Sequence, residues 1–99
     1  MEGISTIGPG ALVRGSVHGD GNLEIQGRVE GSVVVTGELV IAETAMVRSD
    51  LSGRRVIVRG IVVGNISATE IVVLEAGARV VGDLGAPQIG IRPGTLVWC

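Results

Sequence analysis

The 99-residue sequence has no phenylalanine, no tyrosine and no lysine, and carries one tryptophan (Trp98), one histidine (His18) and one cysteine (Cys99). Each shortage removes a class of function. Without lysine there is no Walker-type phosphate site, and Gly8-Pro9-Gly10 lacks the third glycine and following helix of a dinucleotide fingerprint. A single cysteine closes no internal disulfide and gives no sign of an oxidising compartment. One histidine, set beside Gly19-Asp20-Gly21, has no partners for a metal site or a nucleophilic triad and reads as an exposed corner residue. The expectation is therefore no catalysis, no metal and no cofactor. A formal net charge of -2, no basic cluster beyond Arg54-Arg55 and no aromatic residues for base stacking argue against direct nucleic-acid binding. The opening MEGISTIG lacks the basic and apolar regions of a secretory signal, and no stretch reaches the roughly 20 apolar residues of a membrane-spanning helix. The sequon Asn65-Ile66-Ser67 thus has no secretory context, and a soluble cytoplasmic protein is expected.

What the chain does contain is aliphatic: 17 Val, 10 Ile and 7 Leu, interspersed with 17 Gly. A core of β-branched residues without large rings suits narrow, regular layers of strand. The valines also recur in phase. Val13, Val29, Val47, Val62, Val80 and Val97 stand 16, 18, 15, 18 and 17 residues apart. Four residues after each of the first five comes Val17, Val33, Leu51, Ile66 or Leu84, with a small or polar pair between, such as Gly31-Ser32. Before each later Val lies an aliphatic pair at period two, Leu23/Ile25, Leu39/Ile41, Val56/Val58, Val72/Leu74 and Ile89/Ile91, which sets both members on one face of a strand. The links from pair to Val alternate between long (IGPGALV, IAETAMV, LEAGARV) and short (IQGRV, VRGIV), and their Gly, Pro and Thr centres are turn chemistry. No helical period persists anywhere.

A repeat near 17 residues holds two or three short strands and their corners, one coil of a β-solenoid. Stacking at about 4.8 Å per coil turns each recurring position into a ladder, in which six valines fit and six phenylalanines do not. The prediction is an all-β parallel β-helix of about six coils over residues 7–99, preceded by a short segment, residues 1–6. A left-handed hexapeptide helix needs coils of 18, which intervals of 15 to 17 break, and a β-sandwich does not explain the in-phase repetition. The carboxylates Glu24, Glu30, Glu38, Glu70 and Asp83, scattered among Arg14, Arg28, Arg59 and Arg79, read as a solvated surface.

The end coils of a solenoid leave unpaired backbone groups and an open apolar core, usually covered by a polar cap. No cap is evident beside the first or the last coil. The expectation is that end coils from two molecules stack, through Ile7, Leu12, Val13 and Val17 at one end and Ile89, Ile91, Leu96, Val97 and Trp98 at the other. Trp98 suits either a lid over the core or, the reading preferred here, an anchor at a subunit interface. The alternative is a solenoid that docks a partner on one flat face without polymerising.

The runs DGNLEIQGRVEGSV, VIVRGIVVGNISATEIVVLEAGARVVGDL and PQIGIRPGTLV together resemble the bactofilins, polymer-forming bacterial cytoskeletal proteins, over about residues 4 to 98. The resemblance implies a right-handed β-helix of triangular section. It implies nucleotide-independent assembly with itself into non-polar filaments, head to head and tail to tail, that shape cells and position client proteins. Some family members also use an N-terminal segment to associate with the membrane, which would place the chain at its inner face. MEGISTIG lacks the basic and aromatic residues that would support this, and the flexible tails usual beside the family's core are short or missing here.

Overall fold

The computed structural model describes the backbone of residues 4–94 and 96–98. Every element among them is a strand: β1 (Ile4–Ile7), β2 (Leu12–Gly19), β3 (Asn22–Ile25), β4 (Arg28–Val35), β5 (Glu38–Ile41), β6 (Met46–Val58), β7 (Ile61–Val63), β8 (Ile66–Leu74), β9 (Arg79–Val81), β10 (Leu84–Gly85), β11 (Gln88–Ile91) and β12 (Leu96–Trp98). All pairings are parallel and join a strand to its counterpart one coil away. The chain is a β-solenoid wound on three faces.

The first face stacks residues 4–7, 22–25, 38–41, 55–58, 71–74 and 88–91. The second stacks 12–14, 28–30, 46–48, 61–63, 79–81 and 96–98. The third holds strand segments from only five coils, beginning with 15–19 and ending with Leu84–Gly85. Five turns are therefore complete and the sixth covers two of the three faces, one face short of the six coils expected.

The expected ladders are present residue for residue. Val13, Val29, Val47, Val62, Val80 and Val97 are successive register partners, as are Val17, Val33, Leu51, Ile66 and Leu84. The period-two pairs stack likewise, Ile25 on Ile41 and Val58 on Leu74. Side chains alternate across each strand, so Val29, Val33, Val47, Val56, Val62 and Val72 are fully buried while their sequence neighbours face out. A further inward position escaped the repeat count. Val35 and Ala68 are buried on the third face, and Gly53 lies between them, where an added side chain would press on Val35.

The alternation of corner lengths has a steric cause. At the short corners Gly27 and Gly60 lie under the long corners of the coil before; a side chain on Gly27 would meet the carbonyls of Gly8 and Ala11, and one on Gly60 those of Ala42 and Ala45. Glycine lets the short turn nest there, and the nested turn is hydrogen bonded: Arg28 N–H donates to Ala11 O (2.8 Å), Met46 N–H to Gly27 O (3.1 Å) and Arg79 N–H to Gly60 O (3.0 Å). The long corners fill the space behind them with buried Ala45 and Ala78.

Candidate functional site: the two ends of the coil

The bend between the second and third faces runs through Gly15, Gly31, Gly64 and Gly82, all at positive φ. Such a dihedral suits glycine alone, and a side chain on Gly31 would also run into the Gly15 carbonyl. Ser49 occupies this column in the third coil without positive φ, and β6 passes through it as one 13-residue strand. Its hydroxyl is buried and lacks a hydrogen-bond partner.

The last members of the inward ladders stand at the two ends of the coil. At the first coil the end members are Ile7, Val13 and Val17, half-buried and packed on the core. At the far end they are Ile89 and Ile91 on the first face and Leu84, with Ala86, on the third. Ile89 and Ile91 are 43% and 60% exposed, although their register partners Val72 and Leu74 are fully buried. Among the described strands, β1 and β2 pair on one side only, as do β10, β11 and β12. Both ends thus combine open strand edges with apolar side chains that would be core in mid-stack.

Leu12 does not belong with that set. Its register partner Arg28 is exposed, and Leu12 itself is 51% exposed in an outward column; the strand alternation around Val13 requires this. The backbone of Leu96–Trp98 pairs with Arg79–Val81, with Val97 in register with Val80. The side chains of Leu96, Val97 and Trp98 lie outside the described residues, and with them both readings of Trp98, as does Cys99. Leu84, absent from the expected contact set, completes the far end; its place as last member of its ladder is the signal that identifies it.

Several polar side chains serve the corners. Gly21 N–H donates to Thr36 Oγ1 (2.8 Å), Glu38 N–H to Asn22 Oδ1 (2.7 Å) and Asn65 N–H to Asp50 Oδ1 (3.2 Å). Glu70 accepts from Arg54 and from Arg55 Nε (3.2 Å). The Arg54 bond, then the Arg55 bond, holds the Glu70 carboxyl below the usual carboxylate range, and Glu70 in turn raises Arg54. His18 is exposed opposite Val34, and no group of three or more metal-ligating side chains occurs among the described residues. No described helix is long and apolar enough to cross a membrane.

A regular aliphatic stack with open strand edges defines the class, an all-parallel β-solenoid. A family model for bactofilins, described as polymer-forming cytoskeletal, matches residues 5–98. Bactofilin BacP of Myxococcus xanthus is 39% identical over 90 residues, covering 91% of this chain and 38% of that protein. BacO of the same organism is 37% identical over 90 residues, covering 91% of this chain and 71% of BacO. A crystal structure of a point mutant of the Thermus thermophilus bactofilin superposes with a TM-score of 0.84 at 34% identity, covering 90% of this chain and 99% of that one. The solid-state NMR structure of the cytoskeletal bactofilin BacA gives a TM-score of 0.86 at 34% identity, over 95% and 89%. The chain belongs to the bactofilin family, and so to a group of structural cytoskeletal proteins rather than enzymes. It spans little over a third of BacP.

Proposed function

We propose that this chain is a cytoskeletal scaffold that assembles without nucleotide into non-polar filaments, head to head and tail to tail through its end coils. The observation that carries the reading is the exposure of Ile89 and Ile91 at inward positions, where a further coil would bury them as it buries Val72 and Leu74. Ile7, Val13 and Val17 form the contact at the first coil; Ile89 and Ile91, with Leu96, Val97 and Trp98, form the other. The filaments work in the cytoplasm, including the inner face of the membrane, in cell shape and in positioning partner proteins.

Negative-stain microscopy of the purified protein, without nucleotide, tests this. Filaments one molecule wide are expected, and Ile91→Arg should arrest growth at dimers joined through the first coil, because it buries a charge without a partner. A monodisperse monomer at high concentration sinks the proposal in favour of a non-polymerising solenoid that docks a partner.

A further inference from the structure

The sequence holds three prolines, Pro9, Pro87 and Pro93, and none occurs between Pro9 and Pro87. The fold gathers them at its two ends. Pro9 lies in the long corner between β1 and β2 of the first coil, and Pro93 in the long corner between β11 and β12 of the sixth. Pro87 stands between β10 and β11, where the chain enters that sixth coil. The inner long corners, residues 42–45 and 75–78, have no proline. In the first coil Ala11 N–H donates to Gly8 O (3.2 Å) across Pro9-Gly10, with Gly10 at a φ of 87°. This is a type II turn, with proline and glycine at its two central positions. At residues 75–78 the same turn forms with Ala76 in the proline's place: Ala78 N–H donates to Glu75 O (3.1 Å) and Gly77 has a φ of 89°. Pro93-Gly94 lies against that corner, with Gly94 at 91° and its carbonyl accepting from Gly77 N–H (3.1 Å).

Turn geometry alone does not decide where proline stands. Ala76 is exposed like Pro9 and Pro93, and Glu75 N–H donates to Val58 O (2.9 Å) just as Arg92 N–H donates to Leu74 O (2.9 Å). Proline would fit at Ala76 as it fits one coil later. What differs is the number of neighbours. A coil in mid-stack is held on both sides and an end coil on one, so opening an end coil is the least costly local unfolding in the molecule. Proline opposes it by narrowing the conformations of the opened segment. Each of these turns also joins two members of an end contact: the one at Pro9 connects Ile7 to Val13, and the one at Pro93 connects Ile91 to Val97. An end coil that opens carries those residues out of place.

We propose that Pro9 and Pro93 are positioning residues for assembly: they hold the free end coils closed, so that the ladder ends stand in docking geometry before a second copy arrives. Joining then requires little ordering of the coil, and the preorganisation appears as affinity. Pro87 restricts the entry to the sixth coil in the same sense. The assignment rests on the end-contact reading and adds to it the residues that keep each contact ready.

Two backgrounds separate the two contacts: Ile91→Arg leaves the dimer through the first coil, and Val13→Arg the dimer through the last. In the Ile91→Arg protein, Pro9→Ala should weaken dimerisation about tenfold in sedimentation, because a two-fold contact uses the turn twice. Pro93→Ala should leave that dimer within about twofold. In the Val13→Arg protein the two prolines should exchange roles. Ala76→Pro, in the same turn of an inner coil, should raise the melting temperature and leave both dimers within about twofold. Hydrogen exchange in the protomer carrying both charges gives an independent readout. There Pro9→Ala should speed exchange about twofold to fivefold at Gln26 and Arg28, whose amides donate to Ile7 O and Ala11 O of the first coil. Ala42 and Met46, bonded to Ile25 O and Gly27 O of the second coil, should not change. A melting temperature lowered by Pro9→Ala with dimerisation and exchange unchanged overturns the proposal. So do equal losses from Pro9→Ala and Pro93→Ala at one contact. Polymers that persist with both charges present sink the end-contact reading instead, and the exchange rates at Gln26 and Arg28 then decide separately whether Pro9 holds its coil closed.

Discussion

Gly31 and Ser49 occupy the same column and should respond to alanine with opposite sign. At Gly31 a methyl group meets the Gly15 carbonyl and the positive φ excludes any side chain, so Gly31→Ala should cost about 2 kcal/mol or more, read as a lower urea midpoint. At Ser49 the backbone is ordinary and the hydroxyl is buried without a partner. Ser49→Ala removes a desolvated polar group at little change in volume, and should raise stability by about 1 kcal/mol in the same measurement. The sequence already marked this column as a small or polar pair before each aliphatic. It could not tell the serine from the glycines, since both are small and the difference lies in whether the strand bends there.

At the scale of strands and corners, the ladders were legible because two simple periods, two within a strand and about 17 between coils, both fall on aliphatic residues. Val47 sits in the third of six rungs and is fully buried, whereas Val13 lies in the first and is half-buried. Val47→Ala should cost about 2 kcal/mol and Val13→Ala distinctly less, a gradient measurable by thermal unfolding. The outward columns were not legible in the same way. Which arginines share a face depends on corner lengths, and nothing in Arg14, Arg28, Arg48 and Arg79, at uneven intervals, betrays it. The corner between the third and first faces is a case in point. Arg54 is the one residue between Gly53 and Arg55 where the partner strand has two, and Glu70 on that partner binds both arginines. Because the folded Glu70 titrates below its unfolded value of about 4.3, its contribution is complete above that pH and is lost as pH falls through the lowered value. The groups are exposed, so the effect on stability is small. Titration followed by NMR should show the Glu70 midpoint rising towards the ordinary range in Arg54→Gln.

For the whole molecule, the three faces advance together. Between five and six rungs at about 4.8 Å give each protomer an axial length of roughly 27 Å. Aligned filaments should therefore diffract near 4.8 Å along the filament axis, and head-to-head pairing should make the structural repeat two protomers, roughly 54 Å. A single-protomer repeat in helical reconstruction would refute the non-polar arrangement. The candidate contacts were partly readable from the chain, since the last members of each ladder are set by the repeat. Leu12 was grouped with them by its hydrophobicity, although its place beside Val13 on one strand turns it outward.

The register of the three faces also governs how the coil carries load. The strands lie across the axis, so their backbone hydrogen bonds run along it, and each junction between complete coils is a ring of bonds in three rows. Tension along the axis loads all three rows of a junction in parallel and has to break them together. A sideways force peels them one row at a time. The coil is thus strongest in the direction in which it stacks, like a cord spun from short lengths, and weakest to bending at its corners.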